Sequence, residues 1–206
     1  MKRRTFVTAI AASGLASGLS GCLGVLDSGD DGSVPDPIDL SGDKVDDRGG
    51  MQIGPHGGPN GQIYYADNSP ARHDNPAWFH TLSHGLFPYH FNKLDQGWDP
   101  EVIYVTDYSG IDYELIHREG GTYMPSPTDS DTFADAEGLT YVIESEVLGG
   151  MGPDLFPFSA QDDANAFTED HGGRTIGFGD IDRQLVAMIR QERRDESPTS
   201  LLTRAT

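Results

Sequence analysis

The chain has 206 residues, 36% of them hydrophobic, and carries 33 acidic against 14 basic side chains for a formal net charge of −19. No basic stripe is present to neutralise phosphates, which argues against a nucleic-acid partner, and the single cysteine excludes a disulfide within the chain. The acids are spread along the sequence and the lysines are only Lys2, Lys44 and Lys93, so the surface repels itself in dilute buffer. At molar salt the Debye length falls to about 3 Å and that repulsion nearly vanishes, so the composition fits a halophilic cell better than a cationic partner or calcium.

The N-terminus reads as an export signal. Lys2, Arg3 and Arg4 are followed by an apolar, small-residue stretch from Ala9 to Leu19 and then by Ser20-Gly21-Cys22. That stretch is too short and too rich in Gly, Ala and Ser to span about 30 Å of hydrocarbon. Arg3 and Arg4 resemble the signal of the twin-arginine pathway, which carries folded cargo. Cys22 sits where a lipobox cysteine would be lipidated, and two acyl chains suffice for stable anchoring. Residues 1–21 are therefore expected to be removed, leaving 11 basic against 33 acidic residues on the extracytoplasmic face of the cell membrane.

Residues 22–50 are rich in Gly, Ser, Asp and Pro and predict a flexible tether. A first unit over 51–110 begins with a strand at Gln62–Tyr65, after the turn signal Gly57-Gly58-Pro59-Asn60-Gly61. The loop Asp67–Pro76 follows, then a helix over Ser83–Leu94 that Gly85 and Pro88 interrupt, then a strand at Glu101–Asp107. Trp78, Phe79 and Tyr89 are expected to fill its core.

A second unit over 111–183 starts with a weak strand at Glu114–His117 and a Pro- and Asp-rich loop, Met124–Asp131. Strands are predicted at Tyr141–Glu144 and Leu155–Phe158. Ser159 would cap a helix running to His171, which Gly172-Gly173 stops before a strand at Arg174–Phe178. Residues 184–206 predict a short helix with Leu185, Val186 and Ile189 on one side, then a disordered tail. The repeated order of strands, helix and returning strand predicts an α+β fold of two similar units in one compact body.

The most unusual run is Tyr141-Val142-Ile143-Glu144-Ser145-Glu146-Val147-Leu148-Gly149-Gly150-Met151-Gly152-Pro153-Asp154-Leu155-Phe156-Pro157-Phe158, with Ala164, Phe167 and His171-Gly172-Gly173 beyond it. It resembles the NosL family, lipoproteins accessory to nitrous-oxide reductase, as does Gly58-Pro59-Asn60-Gly61-Gln62-Ile63-Tyr64-Tyr65. The resemblance implies two ββαβ units and a role in delivering copper to an exported copper enzyme of denitrification. Its partners would be that enzyme or ABC-type copper-delivery and assembly proteins at the membrane surface. It also places Met151 at the family's copper-associated methionine. Soft Cu(I) takes thioether sulfur readily, without a proton to displace.

One departure stands out. Where the family pattern ends in Cys-Gly-Met, this chain has Gly49-Gly50-Met51, and Cys22 lies far from the domain. A copper site here would use Met151 with Met51 and a histidine such as His56. His80 and His84, spaced as an i, i+4 pair, read as surface histidines; His73 reads as a loop residue and His171 as a structural group at a helix end. No HExxH, GxSxG or phosphate-binding loop occurs, and Ser83 and His84 would point apart on a helix, so an enzyme is not expected. The alternative is a metal-free docking or structural lipoprotein of the same fold.

Overall fold

A computed structural model describes residues 34–195. Gly61–Tyr65 (β1) is the axis of the first unit, and all five of its residues are buried because its side chains serve two covered faces. It pairs antiparallel with Ala77–Phe79 (β2) and with Pro100–Thr106 (β3), so that Gln62 stands opposite both Trp78 and Tyr104. Between β2 and β3 the chain makes one wide π-type turn, Leu82–Leu86, that runs into an α-helix, Phe87–Asp95 (α1). The pitch changes where Gly85 and Pro88 interrupt the helical pattern, and Pro88 falls in the first turn of α1, where its fixed φ suits a helix start.

Ile116–Arg118 (β4) and Gly121–Tyr123 (β5) then form a hairpin, and Phe133–Asp135 (β6) returns to pair with β3. Thr140–Ile143 (β7) is the axis of the second unit. It pairs antiparallel with Phe156–Phe158 (β8) and Arg174–Gly177 (β9), with the helix Gln161–His171 (α2) between these two strands. The sheet orders are β2-β1-β3-β6 and β8-β7-β9, so each half is a ββαβ unit with its first strand in the middle. Pro157 is tolerated because β8 is an edge strand, where a missing ladder donor is harmless.

One core joins the halves. Ile63, Ile103 and Val105 from the first sheet meet Tyr141 and Ile143 from the second, and the last helix, Arg183–Asp195 (α3), closes the cluster with Leu185, Val186 and Ile189. Each such buried side chain contributes about 1.5–3 kcal/mol of transfer free energy. On the outer side of β7, Val142 packs with Phe156, Phe158 and Phe167.

Two expectations need correction. Residues 34–50 are not a free tether: Leu40 is wholly buried, the Gln62 side chain bonds both the N–H and the carbonyl of Ile38, and Tyr64 and Tyr104 donate to the carbonyls of Asp36 and Pro35. The outer face of the first sheet carries polar and aromatic side chains that hold this segment, so no apolar periodicity in the segment announces it. Nor does Ser159 cap α2. Ala160 occupies that position, and the free N–H groups of Ser159 and Ala160 go to Asp107 Oδ1 and Ser109 Oγ. Arg3, Arg4, Cys22 and the tail beyond residue 195 lie outside the described residues. Among those described, no helix is long and apolar enough to cross a membrane.

Candidate metal centre

The residues preceding β1 and those following β2 lie at the same end of the first sheet, because Gly61 is in register with Phe79. Three loops and the residue after β2 meet there. The first loop, Asp46–Met51, is closed by Asp46 N–H donating to the Met51 carbonyl at 2.8 Å and Gly50 N–H donating to the Asp46 carbonyl at 2.8 Å. Met51, at its end, is half-buried. The second loop carries His56, also half-buried, and is pinned by Gly58 N–H donating to the Met124 carbonyl.

The third loop joins β7 to β8. Gly149 and Gly152 exchange backbone hydrogen bonds of 2.8 and 3.2 Å, which leaves Gly150 and Met151 at the tip of a two-residue turn. The turn sits directly on the His56 loop: a Cβ on Gly150 would lie 3.4 Å from His56 Cβ. Asp154 ties its far side to the π-type turn by accepting from Ser83 N–H at 2.7 Å and Leu155 N–H at 3.0 Å, while Ser83 Oγ donates to the Pro153 carbonyl. Burial pushes the Asp154 pKa up to about 6, against the lowering effect of these hydrogen bonds.

His80 was expected at the surface beside His84, yet it is 2% exposed and precedes the helical segment instead of sharing a face with His84. Asp46 explains the difference. Its Oδ1 accepts from the N–H groups of Arg48 and Gly49, and its Oδ2 accepts from His80 N–H at 3.0 Å and His80 Nδ1 at 2.8 Å. Burial alone would raise the Asp46 pKa, but the His80 bond and the backbone N–H groups of Gly49 and His80 outweigh it and hold the carboxyl below its usual range. The His80 ring stands 6.3 Å, centroid to centroid, from the His56 ring.

Of the three expected donors, Met151 and His56 are thus on loops in contact, and Met51 closes the loop that Asp46 locks onto His80. Two further histidines touch the first loop from outside, His73 through Nε2 to Asp47 Oδ1 at 3.0 Å while its ring stacks on Trp78 at 3.6 Å, and His84 through its carbonyl, which accepts from Arg48; His171 packs against Phe167. Sequence reasoning missed His80 and Asp46. The available signal was a histidine immediately after the strand Trp78-Phe79, and an acid at the head of a glycine loop. Among the described residues no group of three or more His, Cys, Asp and Glu side chains is arranged to hold a metal. The donors gathered here are thioethers and imidazoles, which suit a soft monovalent ion and not a hard one.

Two ββαβ units share a core and carry thioether and imidazole donors on loops at one end; beside them Ser83 Oγ lies 2.9 Å from His84 Nδ1, where the two side chains were expected to point apart. Residues 37–186 match the NosL family, and the chain belongs to that family. It is 34% identical over 71 residues to the copper-binding lipoprotein NosL of Stutzerimonas stutzeri, covering 34% of this chain and 37% of that relative. Against the copper-binding lipoprotein NosL of Achromobacter cycloclastes it is 29% identical over 151 residues, covering 73% of this chain and 69% of that one. The chain thus spans little more than a third of the first relative's length and about two thirds of the second's. The crystal structure of the copper chaperone NosL from Shewanella denitrificans matches with a TM-score of 0.52 at 22% identity, covering 70% of this chain and 94% of that one, a likeness of fold.

Proposed function

We propose that the protein is an exported, lipid-anchored copper carrier that holds Cu(I) with Met151, Met51 and His56 and passes it to a copper enzyme such as nitrous-oxide reductase, or to its assembly proteins. The observation that carries this reading is the contact between the His56 loop and the turn bearing Met151, beside the loop that ends in Met51. Thioethers and neutral imidazoles add no charge and bind Cu(I) without forming a closed thiolate cage, so the ion can be both taken up and released. Lipidation of Cys22 would hold the carrier at the extracytoplasmic membrane surface, where its partners receive the metal. Family membership and the relatives' names support the copper assignment.

The test is an anaerobic Cu(I) titration against a competing chelator, in potassium sulfate of high ionic strength so that chloride does not compete for the metal. The protein and its Met151→Leu variant are compared. One-to-one binding that weakens at least tenfold in the variant, about 1.4 kcal/mol or more, is expected. No binding, or binding indifferent to Met151, would move the reading to a metal-free docking lipoprotein.

A further inference from the structure

His80 carries a buried ring nitrogen, Nε2, that has no hydrogen-bond partner. An unsatisfied buried polar atom costs about 1–3 kcal/mol and calls for an explanation. Its aim is fixed from behind. Asp46 is an ionised carboxylate with four donors on its two oxygens, so it can only accept, and the proton between it and His80 belongs to Nδ1. In the neutral ring Nε2 is then a bare lone pair. A histidine whose other nitrogen donates to a carboxylate is the usual arrangement of a metal-binding imidazole.

We propose that His80 is a further copper ligand, binding through Nε2, and that Asp46 is the residue that sets its tautomer and orientation. The proposal rests on the copper-carrier reading above and adds to it a ligand from outside the expected set. Bonds of about 2 Å from one ion to a nitrogen of each ring, plus the half-widths of the rings, put the two centroids about 5–6 Å apart, the upper end being the linear arrangement, and the His56 and His80 centroids stand 6.3 Å apart. Cε1, the carbon between the two ring nitrogens, lies beside the loop that ends in Met51: a Cβ on Gly49 would be 3.9 Å from it. The buried negative charge of Asp46 behind the ring offsets the single positive charge of Cu(I), as a thiolate would.

Space for the carboxylate comes from Gly85, where a Cβ would sit 2.7 Å from Asp46 Oδ2. The rival explanation is a purely structural histidine that locks the Asp46 loop. It needs Nδ1 alone and predicts an Nε2 indifferent to metal.

Measurements on the full-length protein separate them. In the first, ¹⁵N-histidine NMR follows Cu(I) added anaerobically to the unaltered protein. The His80 Nε2 resonance should shift while Nδ1 keeps its proton. In the second, His80→Gln is titrated with Cu(I) alongside Met151→Leu and should lose at least tenfold in affinity. X-ray absorption of the loaded variant should show one imidazole fewer than the parent. Asp46→Asn should let the other His80 tautomer appear and should weaken Cu(I) binding. If the protein binds Cu(I) in a Met151-dependent way with the Nε2 resonance unmoved, this proposal is overturned and the copper-carrier reading stands. If it binds no Cu(I), both fall together. Should His80→Gln fail to fold, the spectrum of the unaltered protein still decides.

Discussion

Gly58 and Gly150 are ninety-two residues apart, yet a Cβ on Gly58 would lie 2.6 Å from the Gly150 nitrogen. That contact holds the His56 loop against the turn that carries Met151, and it joins the two ββαβ units at the candidate site. Gly58 also has φ +89°, a conformation that costs an L-residue about 1–2 kcal/mol. Gly58→Ala should therefore destabilise by roughly 2–4 kcal/mol in urea unfolding, since strain and displaced backbone act together. Gly42 provides the control. Its φ is +83° but nothing lies within 4 Å of its would-be Cβ, so Gly42→Ala should cost about 1 kcal/mol. Only the Gly58 variant should also weaken Cu(I) binding. Equal losses at both positions would mean that the loop contact does not matter.

Asp154 is the second tie on the Met151 turn, and its two substitutions should behave differently. Asp154→Ala leaves the buried Ser83 and Leu155 N–H groups without an acceptor, which should cost about 2–3 kcal/mol. Asp154→Asn retains an acceptor oxygen and removes a carboxyl that burial disfavours in its charged form. At pH 8 the Asn variant should be as stable as the parent or more so, measured by the urea midpoint. An Asn variant as damaged as the Ala variant would show that the negative charge itself is required.

Much of the fold was legible because the apolar runs are local. Ile63-Tyr64-Tyr65, Tyr141-Val142-Ile143 and the pair Ala164 and Phe167 each declare their own element, and the repeated order gives the two units. Residues 34–40 were not legible, because what holds them is carried elsewhere, on Gln62, Tyr64 and Tyr104. The site divides in the same way. Met151 announces itself by its glycine neighbours, whereas the role of His80 depends on a carboxylate thirty-four residues earlier in the chain. A spacing argument sees His80 and His84 as neighbours. The strand that ends at Phe79 and the wide turn after it separate them.

Salt should stabilise this protein. With 33 acidic and 14 basic residues, repulsion among exposed carboxylates such as Asp129, Asp131, Asp135 and Glu137 outweighs attraction. The exposed Arg174–Glu144 pair, with bonds of 3.1 and 3.0 Å, is the kind of contact salt weakens, and it is worth only about 0.2–1 kcal/mol. Raising ionic strength from about 0.1 M to 1 M shortens the Debye length from about 10 to 3 Å. The melting temperature should climb across that range, and less steeply in a variant carrying Asp131→Asn and Glu137→Gln. A melting temperature that falls with salt would mean that ion pairs, not repulsion, dominate the surface.

His90 and Asp154 should give stability opposite dependences on pH in nearly the same window. Burial first, and then the Arg183 charge, hold His90 down at about 4, while an unfolded histidine titrates near 6.5. As pH falls through 6.5 the unfolded chain takes up a proton that the folded protein refuses, so stability is lost between about 6.5 and 4. The loss is at most about 1.4 kcal/mol per pH unit. Asp154 runs the other way. Its folded pKa, raised to about 6 against an unfolded value of 3.8, makes the folded protein bind a proton first, so its contribution grows as pH falls from 6 to 3.8 and is lost as pH rises. Relative to the parent, His90→Gln should therefore gain stability as the solution is acidified across this range, and Asp154→Asn should lose it. The comparison uses urea midpoints at half-unit steps from pH 4 to 7, where the remaining carboxylates titrate alike in all three proteins and cancel. Parallel curves for the parent and His90→Gln would mean that water or Arg183 motion relieves the buried ring, and that His90 titrates as it does in the unfolded chain.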